Sequence, residues 1–164
     1  MKTSLATGGG LPFAFDGATA LQLFLGNHNG CIGEVSGLAL LIGAGYMLYR
    51  RCISWHVPAA YLGTVAVLAT LLYVQAPARN MPPLFHLLSG GLMLGALFMA
   101  TDMVTTPVTR KGMIVFGVGC GILTMVIRKW GGYPEGVSFA IILMNAVTPL
   151  INRATRPRVF GKKK

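Results

Sequence analysis

The chain has 164 residues, 54% of them hydrophobic and only 11% charged, with a formal net charge of +10. Water-soluble domains carry roughly 25% charged residues, so this composition, with a mean hydropathy of +0.64, excludes an ordinary soluble domain. It reads as an all-α integral membrane protein, in which the placement of the positive charge matters more than its sum.

The N-terminal segment, 1–31, is Gly-rich and precedes the first apolar run. MKTSLATGGG has a lysine but no apolar stretch behind it, so it is not a signal peptide. Further along stands FDGATALQLFLGN, with Thr19 behind a Gly-Ala pair. This threonine is either a plain loop residue or a hydroxyl to which a cofactor is tied.

A bilayer core of about 30 Å needs about 20 apolar residues in a helix. Five segments between 32 and 152 are candidate spans: Ile32–Tyr49, Val57–Val74, Phe85–Met103, Met113–Ile127 and Gly136–Ile151. Pro58 falls in the first turn of the second, where a missing N–H is tolerated. The fourth is short and needs flanking residues to span. Glycines recur in GLALLIGAG, SGGLMLG and GVGCG. In lipid such small residues let helix backbones approach closely, so the simplest reading is a compact five-helix bundle.

An odd number of spans puts the termini on opposite sides. Lys2, Arg79, Arg128 and Lys129 fall on one side, four of the 14 basic residues. The other ten fall opposite: Arg50, Arg51, Arg110, Lys111, Arg153, Arg156, Arg158, Lys162, Lys163 and Lys164. The positive-inside rule puts the ten-residue side in the cytoplasm and Thr19 outside. The basic tail, 153–164, is then a topology signal and lipid-facing anchor, and needs no nucleic-acid partner.

The chain has four acids, Asp16, Glu34, Asp102 and Glu135. Ionisable groups near a membrane interior face a partner or a watery path. Glu34 starts the first span. Asp102 ends the third, with Thr101, Thr105, Thr106 and Thr109 around it and Pro107 stopping the helix. One carboxylate among hydroxyls and free carbonyls suits a small cation or a relayed proton; the alternative is an ion pair with Arg110 or Lys111. Glu135 favours the positive end of the fifth span. Cys31, Cys52 and Cys120 are scattered, without metal-ligand spacing, and read as small packing residues, with a disulfide as the alternative. No nucleophile–base–acid set and no phosphate-cradling loop can be assembled, so any redox chemistry comes from a bound cofactor or a partner protein.

Four blocks carry a resemblance: LFLGNHNGCIGEVSGLALLIGAGYML, RRCISWHVPAAYLGTV, MATDMVTTPVTRKG and VIRKWGGYPEGVSFAIILMNAVTPLIN. In this order, from Leu23 to Asn152, they resemble the C-terminal half of the membrane-subunit family that contains the D subunit of the Rnf complex. That family also contains the B subunit of the sodium-pumping NADH:quinone reductase. The resemblance implies a non-autonomous subunit of a complex moving electrons between ferredoxin and NAD and coupling them to Na+ or H+ movement. It implies a multi-pass subunit of a bacterial or archaeal cytoplasmic membrane, and partner subunits carrying Fe–S clusters and flavin.

It also implies FMN bound covalently through a threonine on the outer face, with non-covalent riboflavin as a second flavin. Gly17, Ala18 and Thr19 match the flavin-attachment motif, while Asp16 and Ala20 depart from it. Thr19 also stands only four residues before Leu23, and by the family's spacing the acceptor falls upstream of Met1. The length is that of one half of a ten-helix subunit, so the chain reads as a fragment or a split subunit. A helical membrane scaffold without a cofactor is the competing reading; a stand-alone small transporter suits the Asp102 region but not the family blocks.

Overall fold

The computed structural model describes residues 24–25, 36–75, 82–88, 91–131 and 136–156. Thr19, Glu34, Glu135, Cys31 and the last eight residues of the tail lie outside the described residues. Among those described, every regular element is helical. They are α1 (Gly37–Tyr49), α2 (His56–Gln75), α3 (Pro83–Leu88), α4 (Leu92–Leu94), α5 (Arg110–Trp130) and α6 (Val137–Ala154). α4 runs directly into a π-helical segment, Gly95–Met99.

Three helices, α2, α5 and α6, are long and apolar enough to cross a membrane, with mean hydropathies of 1.8, 1.6 and 1.4. They correspond to the second, fourth and fifth expected spans. The fourth gains its length from its flanks, reaching 21 residues. α1 is a shorter apolar helix of 13 residues, opened by Ser36, whose hydroxyl accepts from Ala39 N at 3.3 Å. The third expected span is divided rather than continuous. SGGLMLG puts three glycines in seven residues, and each weakens an α-helix by about 1 kcal/mol relative to alanine.

α2 and α5 make the most extensive helix contact and α6 packs against α5. Val57, Tyr61, Val65 and Ala69, spaced by four along α2, are all buried. They meet the α5 face that carries Gly117 and Gly121. A Cβ at Gly117 would lie 2.8 Å from Ala60 Cβ and 2.9 Å from the Val57 carbonyl; one at Gly121 would lie 2.7 Å from Thr64 Cβ. The seam closes this far because both residues are glycine. Gly119 serves α6 in the same way, facing Met144.

One polar contact crosses the α2–α5 seam: the hydroxyls of Tyr61 and Thr124, both fully buried, are 2.5 Å apart. Interhelical bonds of this kind contribute about 0.6–1.7 kcal/mol in membrane bundles. Tyr61→Phe is therefore expected to lower stability by about 1 kcal/mol, read as earlier thermal unfolding in detergent. A Tyr61→Phe protein that unfolds with the parent would show that the bond adds nothing.

Large apolar side chains cover the outward faces: Val67 is 59% exposed, Val74 74%, Ile142 64% and Leu150 65%. In water such faces are interaction sites or liabilities; here they form the lipid-facing surface of a membrane bundle.

The helix ends sort the charges. The end of α1, the starts of α2 and α5 and the end of α6 gather at one end, where Arg50, Arg51, Arg110, Lys111, Arg153 and Arg156 stand exposed. At the other end the Arg128 guanidinium donates to the His86 carbonyl at 2.8 Å. Among the described basic residues, Arg128 and Lys129 thus lie at the end of the bundle opposite Arg50, Arg51, Arg110, Lys111, Arg153 and Arg156.

Candidate functional site

The segment from Ala100 to Thr109 forms one wall of the site. It begins where the π-helical turn ends, with Ala100 N donating to the Gly95 carbonyl at 2.7 Å. π turns are rare and recur at functional sites. Gly95 permits this one, because Val137 of α6 occupies the place of its absent Cβ.

The hydroxyls then close the frayed helix end. Thr101 Oγ1 donates to the Leu97 carbonyl at 2.9 Å, with the Phe98 carbonyl at 3.1 Å. These are carbonyls that a terminating helix leaves unsatisfied. Thr106 Oγ1 donates to the Asp102 carbonyl, and the Ala100 carbonyl is 3.3 Å away. Thr105 Oγ1 donates to Asp102 Oδ2 at 3.2 Å.

α5 and α6 hold the far end of the segment. Thr109 caps α5, its Oγ1 accepting from Gly112 N at 3.0 Å and donating to Thr155 Oγ1 at 2.7 Å. Thr155 in turn donates to the Ile151 carbonyl at 2.8 Å. Asn152 Oδ1 accepts from Val108 N at 3.1 Å, and Pro107 is buried.

The opposite wall is the loop between α1 and α2. Together they enclose an open cleft of about 300 Å³, lined by Arg51, Cys52 and Ser54 on one side and by Thr101, Asp102 and Thr106 on the other. The volume admits several waters. Asp102 stands exposed on the wall. Among the described residues its carboxylate makes no ion pair with Arg110 or Lys111, so the pairing alternative is not what the structure adopts.

Chemically, the hydroxyl protons of Thr101, Thr105 and Thr106 are engaged, and what their oxygens still offer is acceptor capacity. A carboxylate plus hydroxyl and carbonyl oxygens is the donor set of a hard cation. Of the residues singled out from the sequence, Thr101, Asp102 and Thr106 meet in the cleft, and Thr105 reaches it through Asp102. Thr19 and Glu34 fall outside the described residues.

Sequence reasoning missed Arg51, Cys52 and Ser54, whose nearness to Asp102 depends on a contact across about fifty positions of chain and leaves no local pattern. It also passed over Asn145. Pro149 lies inside α6 and has no N–H to give the carbonyl four residues back, and Asn145 Oδ1 is buried without a partner. That signal was readable, as an asparagine four residues before a proline in an apolar run. Cys52 is an exposed free thiol and Cys120 a buried one within the α2–α5 core.

Residues 1–161 match the model of the NQR2, RnfD, RnfE family. Over 148 residues the chain is 51% identical to the D subunit of the Na(+)-translocating ferredoxin:NAD(+) oxidoreductase complex of Acetobacterium woodii, covering 89% of this chain and 44% of that protein. Over 152 residues it is 47% identical to the D subunit of the proton-translocating ferredoxin:NAD(+) oxidoreductase complex of Clostridium ljungdahlii, covering 93% and 46%. Over 163 residues it is 47% identical to the D subunit of the ion-translocating oxidoreductase complex of Stutzerimonas stutzeri, covering 99% and 46%. The chain thus spans a little under half the length of these relatives.

Proposed function

This chain belongs to the NQR2, RnfD, RnfE family, and from that premise we propose that it is a membrane subunit of an ion-translocating ferredoxin:NAD oxidoreductase complex. Within that complex it forms part of the path of the coupled cation. The observation that carries this is the cleft in which Asp102 and two threonines meet, in a chain whose relatives are named for translocating ions. One relative is named for Na+ and another for protons, and an open, water-accessible carboxylate suits either. The charge distribution supports a cytoplasmic mouth: the cleft lies at the end of the bundle where Arg50, Arg51, Arg110, Lys111, Arg153 and Arg156 stand exposed. Asp102→Asn in the assembled complex, reconstituted into liposomes, is the direct test, and unchanged coupled ion movement would remove the cation role.

The electron-carrying part of the proposal is a relay through flavin, with FMN on an outer-face threonine and Fe–S and flavin subunits as partners. Its support is the match of Gly17, Ala18 and Thr19 to the attachment motif. Intact mass and in-gel fluorescence, on protein co-expressed with the flavin transferase, test it. A flavin adduct that disappears in Thr19→Ala makes Thr19 the anchor. An unmodified chain excludes that anchor and favours the scaffold role.

A further inference from the structure

α6 carries a polar row. Ser138, Asn145 and Asn152 follow one another at intervals of seven, and seven residues of an α-helix return to within about 20° of the same side. The neighbouring face of α6 is buried and already engaged: Met144 packs on Gly119 of α5, and Val137 and Ile141 on Gly95 of the π-helical segment. The row runs along the edge of that face, with Ser138 exposed and Asn145 and Asn152 half-buried.

The C-terminal end of the row is occupied, since Asn152 Oδ1 accepts from Val108 N at 3.1 Å. Its middle is not. Asn145 is the ninth of the 18 residues of α6, about 12 Å from either end at about 1.5 Å per residue. Among the described residues its Oδ1 is buried without a partner, and Pro149 has no N–H to give its main-chain carbonyl. The terminal torsion of an asparagine is broad and roughly two-fold, so the amide can hand its oxygen or its NH2 to a neighbour at the edge of the packed face.

Hydrocarbon cannot be that neighbour, because it offers no hydrogen bonds to polar groups at this depth. Ile142 and Leu150, 64% and 65% exposed, suit acyl chains; a serine and an asparagine do not. We propose that the row is the docking seam of one further transmembrane helix, which presents hydroxyl, amide or small side chains at the same spacing of seven. That spacing belongs to helices crossing at about 20°, and polar side chains are what binds helices to each other in lipid. The helix comes from the part of the subunit that this chain does not span. The chain covers 44% of one relative and 46% of two others, so more than half of such a subunit has to be placed against it. Val108, held by Asn152 and 83% exposed, lies at the C-terminal end of the seam and is covered by the same helix.

Photo-crosslinking in the assembled complex, in its membrane, tests this. A benzophenone side chain takes the place of Ser138 in one protein and of Leu143 in another. Leu143 is 52% exposed and lies about 160° around the helix from Asn145. Irradiation is expected to join position 138 to a helical peptide from outside residues 1–164, identified by mass spectrometry, and position 143 to phospholipid. Phospholipid adducts at both positions, a crosslink to a second copy of residues 1–164, the same peptide at both positions in equal yield, or no adduct at position 138 would each overturn the seam. Asn145→Leu, similar in volume but without donor or acceptor, is expected to lower the yield at position 138 about threefold, the loss of one interhelical hydrogen bond. The phospholipid adduct at position 143 should then persist, which shows that α6 is still inserted and packed. An unchanged yield at position 138 would remove Asn145 from the seam.

Discussion

Asp102→Asn abolishes most coupled cation movement and leaves the bundle folded: that is the outcome the cleft geometry leads us to expect. The amide keeps the shape, and its oxygen still accepts from Thr105 Oγ1, now 3.2 Å from the carboxylate. The bond from Thr106 goes to the Asp102 main-chain carbonyl and is untouched. Stability at this exposed position should change by no more than about 0.5 kcal/mol.

The charge is another matter. A unit pair at about 4 Å is worth about 1 kcal/mol in water and about 4 kcal/mol where the surroundings behave as a dielectric near 20. An open cleft between helix ends lies between these limits, and each 1.4 kcal/mol is tenfold in affinity. A loss of about tenfold or more in apparent cation affinity follows, with electron transfer uncoupled from ion movement. Ion flux and NAD reduction measured side by side in liposomes separate that outcome from general loss of activity. Parental flux per electron in Asp102→Asn would rule Asp102 out.

The second large effect belongs to the glycine seam. Gly117→Val and Gly121→Val place carbon where the Val57 carbonyl and the Ala60 and Thr64 side chains already lie, all within 3.0 Å of a modest Cβ. Because one of the atoms met is backbone, α2 has to retreat rather than a side chain rotate. Overpacking costs about 1–3 kcal/mol, and retreat also separates Tyr61 from Thr124, adding about 1 kcal/mol.

Gly63→Val is the control, since nothing lies within 4 Å of a Cβ at Gly63; it should stay within about 0.5 kcal/mol of the parent. Thermal unfolding in one detergent, followed for all three variants, decides the matter. Equal unfolding temperatures for Gly117→Val and Gly63→Val would mean that α2 and α5 do not meet along this face.

Membrane class, helical content and the three long spans were determined by the sequence alone. Lipid offers no hydrogen bonds to backbone, so an apolar run of sufficient length has helix as its stable answer. The separation of the described basic residues between the two ends of the bundle was equally legible, since it follows from counting along the chain once the spans are placed. The role of glycine in GVGCG could be anticipated as close packing, because small residues are what helices in lipid have to pack with.

Other features depended on three-dimensional closure. The third span is divided into α3 and α4, and α4 runs on into a π-helical turn whose Gly95 packs directly against Val137, far along the chain. Asp102 could be picked out as an acid in the wrong place, but that it pairs with neither Arg110 nor Lys111 and shares a cleft with the loop after α1 could not. That depended on how the Ala100–Thr109 segment is fastened to Asn152 and Thr155 and on the loop that α1 turns toward it. Periodicity records which face of a helix avoids water or lipid. It carries no record of which two helix ends are brought together, and that pairing, decided by side-chain packing across the bundle, is what put the loop after α1 and the Asp102 segment on one cleft.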